Sequence, residues 1–175
     1  MLVEGRPGSG KTTVAARLAA LLAEHAVDVR GFVTRELRER GRRVGFQVES
    51  LGGDQAILAH AKLSGPPRVG KYGVDLDSFE SIALPTLARP PRDAVVVIDE
   101  LGRMELASER FCEAVTRLLE APVDLVATVH VHRHPLTDRL KRRPDVERVK
   151  LTRNERDALP EQLADRLLAE RRAGA

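Results

Sequence analysis

The eight residues Gly5-Arg6-Pro7-Gly8-Ser9-Gly10-Lys11-Thr12 constrain this chain more than any other segment. They fit G-x-x-x-x-G-K-[ST], a pattern that has mechanical meaning only between a strand and a helix. Glycines there let successive backbone N–H groups turn inward around an anion, and the following helix aims the positive end of its dipole at the same point. The flanks supply that setting. Leu2 to Glu4 reads as a strand, short enough that fraying or a longer original start is expected. From Lys11 to about His25, Val14, Leu18 and Leu22 recur at steps of four, with Ala15, Ala19 and Ala26 beside them, an apolar face suited to packing on a sheet. Lys11 is then positioned for β and γ phosphates, and the Thr12 hydroxyl for Mg²⁺.

A second motif lies downstream. Val95 to Ile98 is a continuous apolar run, as expected of a parallel strand covered on both faces, and it ends in Asp99 and Glu100. A carboxylate at the carboxyl end of a strand near the phosphate loop can hold Mg²⁺ through its water shell, the role assigned to Asp99. Glu100 is placed to orient and deprotonate a water for attack on the γ-phosphorus.

Between the two motifs, Arg30–Arg38 and Arg43–Leu51 flank a turn at residues 39–42 and read as an inserted antiparallel hairpin, about 30–51. A short helix is expected around Asp54 to Ala61, closed by Gly65, Pro66 and Pro67. Asp77 with Glu80 resembles a helix-capping pair, and Pro85 should kink or end that helix. Helices are expected at Ser108–Leu119 and Pro160–Arg172, and strands at Val123–Val129 and Val146–Leu151. Helices alternating with apolar strands give an α/β class: a doubly wound, mostly parallel sheet in one domain spanning residues 1–175.

Composition excludes several alternatives. Lys plus Arg total 29 against 26 for Asp plus Glu, so bulk nucleic-acid affinity is not indicated, and aromatics at 3% provide no base-stacking platform of the usual kind. The single Cys112 forbids an intramolecular disulfide and a cysteine zinc cluster, and its neighbours suggest a helix core position. No apolar run is long enough for a membrane helix, and the opening MLVEGRPG lacks a leader's features, so a cytoplasmic location is expected. Nothing in the sequence demands an assembly beyond a monomer, and it offers no protein-partner motif.

Taken together, GRPGSGKTT at Gly5–Thr13, GFVTRELRERGRRVGFQV at Gly31–Val48, VGKYGVDL at Val69–Leu76, VVIDELGRMEL at Val96–Leu106 and LTRNERDAL at Leu151–Leu159 resemble the THEP1-type nucleoside triphosphatases, a small P-loop family. The resemblance implies a P-loop NTPase fold. It also implies Mg²⁺-dependent hydrolysis of ATP, GTP and other nucleoside triphosphates to diphosphate and phosphate, with little base discrimination. The nucleotide-contacting set becomes Gly5, Arg6, Pro7, Gly8, Ser9, Gly10, Lys11, Thr12 and Thr13, joined by Asp99, Glu100, Gly102 and Arg103. Arg103 stands where the family commonly has Lys, which exchanges a point charge for a planar fork.

Charge developing on the transferred phosphoryl group needs a further cation, for which Lys71 and Arg103 are the candidates. Lys71, between Gly70 and Gly73, equally fits a solvated loop lysine, and Arg103 equally fits a salt bridge to Glu105 or another acid. Thr128 fits either a γ-phosphate contact or an ordinary strand residue. His130, His132 and His134 fit a loop better than a metal site, and Asn154 and Asp157 fit a base pocket or a helix cap. Two other functions share the same loop. A small-molecule kinase would use the basic run Arg133–Arg143 as a lid over phosphates, and a nucleotide switch would reorganise the hairpin for a partner.

Overall fold

The computed structural model describes residues 1–130 and 133–173. In chain order the elements are β1 (Leu2–Gly5), α1 (Lys11–Glu24), β2 (Val29–Glu39), β3 (Arg42–Ser50), β4 (Gln55–His60), β5 (Arg68–Val69), β6 (Tyr72–Val74), α2 (Leu76–Leu87), β7 (Val95–Leu101), a 3₁₀ turn (Glu105–Ala107), α3 (Glu109–Leu119), β8 (Asp124–Val129), α4 (Pro135–Leu140), β9 (Arg148–Leu151) and α5 (Leu159–Ala173). All the strands join one sheet in the order β5-β6-β4-β3-β2-β7-β8-β1-β9.

The sheet has two halves. From β2 through β7, β8 and β1 to β9 every pairing is parallel. Along β7 the side chains alternate between two cores: Val95 and Val97 join Val14, Leu18 and Leu22 of α1 and Leu163 of α5, whereas Val96 and Ile98 join Phe79 of α2 and Phe111 of α3. A strand buried on both faces must be apolar throughout, which explains the uninterrupted Val-Val-Val-Ile run. β1 is also held on both sides, by β8 and β9, so the short first strand is not a fraying edge.

The second half is antiparallel, and it starts inside a parallel strand. Val29–Phe32 of β2 pairs with β7, and from Phe32 onward β2 pairs with β3. The expected hairpin is therefore the overhang of a core strand, and β4, β6 and β5 extend it. This corrects the reading of Asp54–Ala61 as a helix: Gln55–His60 is a strand between β3 and β6, with Leu58 and Ala59 buried. The helix cap also differs from expectation, because Asp75, not Asp77, caps α2, its side chain accepting from the Ser78 amide at 3.0 Å. Glu80 instead accepts from Ser108 Oγ and Arg110. Pro85 sits within the last turn of α2. Cys112 lies on α3, half-buried at the margin of the core. Among the described residues no helix is long and apolar enough to cross a membrane.

Candidate active site

The phosphate-loop motif leaves the carboxyl end of β1 and turns directly into α1 at Lys11. Gly10 takes φ +96°, a left-handed conformation that side chains resist, and a Cβ there would run into Cδ and Cγ of Arg156. Ser9 N donates to Arg6 O at 3.1 Å and closes the turn. Ser9 Oγ is buried with no hydrogen-bond partner among the described residues, a polar atom suited to an anion held in the loop. Arg6, Pro7, Gly8 and Thr13 are exposed, whereas Lys11 is only 6% exposed. Its Nζ donates to Gly5 O at 3.2 Å and pairs with Glu100 Oε2 at 3.2 Å. The two motifs, nearly ninety residues apart in sequence, thus meet.

Asp99 is fully buried and enclosed by threonines from three elements. Thr128 Oγ1 on β8 donates to Asp99 Oδ1 at 2.7 Å, Thr34 Oγ1 on β2 donates to Oδ2 at 3.4 Å, and the Thr12 side chain on α1 is a further partner. Burial pushes the Asp99 carboxyl above its ordinary range, and the neighbouring Glu100 adds to this against the opposing hydrogen bonds. A hydroxyl and a carboxylate are hard oxygen donors, so the pair Thr12 and Asp99 fits Mg²⁺ by donor chemistry. Thr34 escaped the sequence reading because its role depends on β2 lying next to β7.

In the sequence Glu105 stands out only as a salt-bridge partner for Arg103, and the structure places it elsewhere. Its carboxyl is buried, and a Cβ at Gly102 would come within 2.7 Å of Glu105 Oε2 and 2.8 Å of Glu100 Oε1. Two acids therefore close around a position that only glycine fills. Burial, reinforced by the Glu100 charge, raises the Glu105 pKa to about 8. The available signal was an acid set between Met104 and Leu106, an apolar environment for a charge.

Other expected residues are distributed unevenly. Arg103 is exposed on the rim of a cleft of about 380 Å³ shared with Gly102, His130 and His134, and no carboxylate pairs with it among the described residues. Lys71 is not brought to the loop. It sits in the β5–β6 turn, its Nζ 5.3 Å from the Tyr72 ring centroid, with β4, β3, β2, β7 and β8 between it and β1. The run Arg133–Arg143 is largely committed elsewhere: Arg133 pairs with Asp138, Lys141 with Glu4, and Arg143 with Glu120 and Asp145, while Arg139 donates to Thr116. His134 accepts from Leu136 N at the start of α4, and no group of three or more potential metal-binding side chains occurs among the described residues. His132 lies outside those residues. Asn154 and Asp157 lie in the exposed turns after β9, with Asp157 paired to Arg156.

The chain is similar to known nucleoside triphosphatases in sequence and in fold. A family model described as NTPase matches residues 1–164. The chain is 39% identical over 160 residues to the nucleoside-triphosphatase THEP1 of Thermotoga sp. (strain RQ2), covering 91% of this chain and 90% of that protein. It is similar to the crystal structure of THEP1 from Aquifex aeolicus, with a TM-score of 0.85, 32% identity, and 95% and 98% of the two chains covered. It is also similar to the solution structure of a human cancer-related nucleoside triphosphatase, with a TM-score of 0.83, 37% identity and 97% of each chain covered.

Proposed function

Because the chain belongs to this NTPase family, we propose that it hydrolyses nucleoside triphosphates, ATP and GTP among them, in a Mg²⁺-dependent reaction in which Glu100 activates water. The observation that carries the reading is the 3.2 Å approach of Glu100 to Lys11, which sets a base beside the cation expected to grip the terminal phosphate. The backbone amides of Gly8 to Thr12 and the Ser9 hydroxyl bind the phosphate chain, and Lys11 exchanges Glu100 for phosphate oxygens as the substrate enters. Glu100, released from that pair, accepts a proton from water as the water oxygen attacks the γ-phosphorus. The bond from the γ-phosphorus to the β–γ bridging oxygen breaks, and the diphosphate leaves with that electron pair. Thr12 and Asp99 would hold Mg²⁺, Asp99 through the ion's water shell, and the ion would supply neutralisation of negative charge on the phosphate oxygens. Thr34 and Thr128 fix the Asp99 carboxylate.

Water as acceptor is favoured over a second substrate because most cations of the Arg133–Arg143 run, namely Arg133, Arg139, Lys141 and Arg143, have partners within the chain. The test is phosphate release from each of the four ribonucleoside triphosphates, with and without Mg²⁺ and with no added acceptor. Glu100→Gln should retain nucleotide binding and lose about 10²- to 10⁴-fold in turnover. Unchanged turnover in that variant would remove Glu100 from the mechanism, and consumption only upon adding an acceptor would replace hydrolysis with transfer.

A further inference from the structure

If the γ-phosphate faces Glu100, as the reading above has it, the bound phosphate chain has a direction. Asp99 and Glu100 approach the loop from β7, across β8, whereas β9 lies on the opposite side of β1. A nucleotide with its terminal phosphate toward β7 therefore sends its nucleoside toward the turns that follow β9. There Arg156 lays its aliphatic stem across Gly10, where α1 begins. Its Nε donates to Asp157 Oδ1 at 3.0 Å, which orients the guanidinium and offsets its charge. A guanidinium with one edge engaged by a carboxylate is a weaker phosphate clamp than a free one, yet its flat faces remain available to a π-system. Among the described residues no phenylalanine or tyrosine ring takes that role. Phe32, Phe79 and Phe111 are fully buried against one another, and Phe46 and Tyr72 pack together in the antiparallel half.

We propose that Arg156, held by Asp157, is the platform on which the nucleobase of the bound substrate stacks, a contact that accepts any of the four bases. Every base presents a π-face, so a stacking platform binds without reading the hydrogen-bonding edge that distinguishes one base from another. Arg156 acts here in substrate positioning, with no part in the bond-breaking step.

The test separates base from phosphate without relying on turnover. Calorimetric titration of the full chain with Mg²⁺ complexes of ADP, GDP, CDP and UDP is set beside titration with magnesium pyrophosphate, which has no base. Arg156→Ala and Arg156→Lys should each bind the nucleoside diphosphates about tenfold more weakly and pyrophosphate as the unmodified chain does. Arg156→Lys retains the stem and the charge and removes only the plane. Wild-type affinity in Arg156→Lys, an equal loss for pyrophosphate, or a loss confined to one base would each overturn the stacking assignment. Failure of the unmodified chain to bind any diphosphate would instead overturn the nucleotide-site reading beneath it.

Discussion

The parallel and antiparallel halves of this sheet handle polar side chains in opposite ways. In the parallel half, β7 is covered on both faces, so its charged groups gather where it ends, at Asp99 and Glu100. Gly5 at the end of β1 and Thr128 near the end of β8 reach the same edge. Convergence of polar groups at strand ends is what creates a site. In the antiparallel half one face is open enough that Ile57 is 46% exposed, and charged residues are spread along the strands. They satisfy one another locally: Arg43 lies 5.2 Å from the Phe46 ring centroid, hydrogen-bonds the Tyr72 hydroxyl at 3.2 Å, and pairs with Glu36, which also binds Arg38. Burial on both faces concentrates chemistry, and exposure on one face disperses it.

Phe79→Ala strikes the seam between the halves. Phe79 on α2 makes edge-to-face contacts with Phe32 on β2 and Phe111 on α3, with centroids 5.6 and 5.2 Å apart. Its loss should cost about 3–5 kcal/mol, read from urea denaturation, in a single transition. A melt that splits, with the antiparallel strands going first, would show that the halves are separate folding units.

Glu105→Gln probes the concentrated half. In the unfolded chain Glu105 ionises near its ordinary 4.5, whereas the folded protein keeps the proton to about pH 8. Between those values the folded state binds more protons than the unfolded state, so Glu105 makes stability fall as pH rises and then level off above about 8. The glutamine variant lacks this dependence. It should gain on the unmodified protein by roughly 1.4 kcal/mol per pH unit across the window, reaching a few kcal/mol. Parallel stability–pH profiles of the two, measured without nucleotide or Mg²⁺, would sink the assignment of a buried neutral acid. The smallest effect is expected from Arg43→Ala, about 1 kcal/mol of stability with phosphate release unchanged, because its contacts are half-exposed and distant in topology from the site. A large drop in turnover there would show that the antiparallel strands take part in catalysis.

Much of the fold was legible in the sequence because local rules govern it. The helical period of Val14, Leu18 and Leu22 and the apolar run at Val95–Ile98 each match an observed element. Gln55–His60 was misread because Gln-Ala-Ile-Leu-Ala-His has no periodicity long enough to separate helix from strand, and its pairing with β3 and β6 decided the matter. The glycines flanking Lys71 suggest a ligand-contacting loop, but they serve a tight turn between two short strands at the far side of the sheet.

By itself the sequence determined the phosphate loop, the acidic strand end and the α/β alternation, since each depends on residues close together along the chain. Only the tertiary structure decided that Thr34 and Thr128 enclose Asp99, that Glu105 turns inward beside Gly102, and that Arg156 crosses Gly10. Those arrangements depend on which strand lies beside which, and strand order follows from burying both faces of the sheet at once, a condition no short segment can encode.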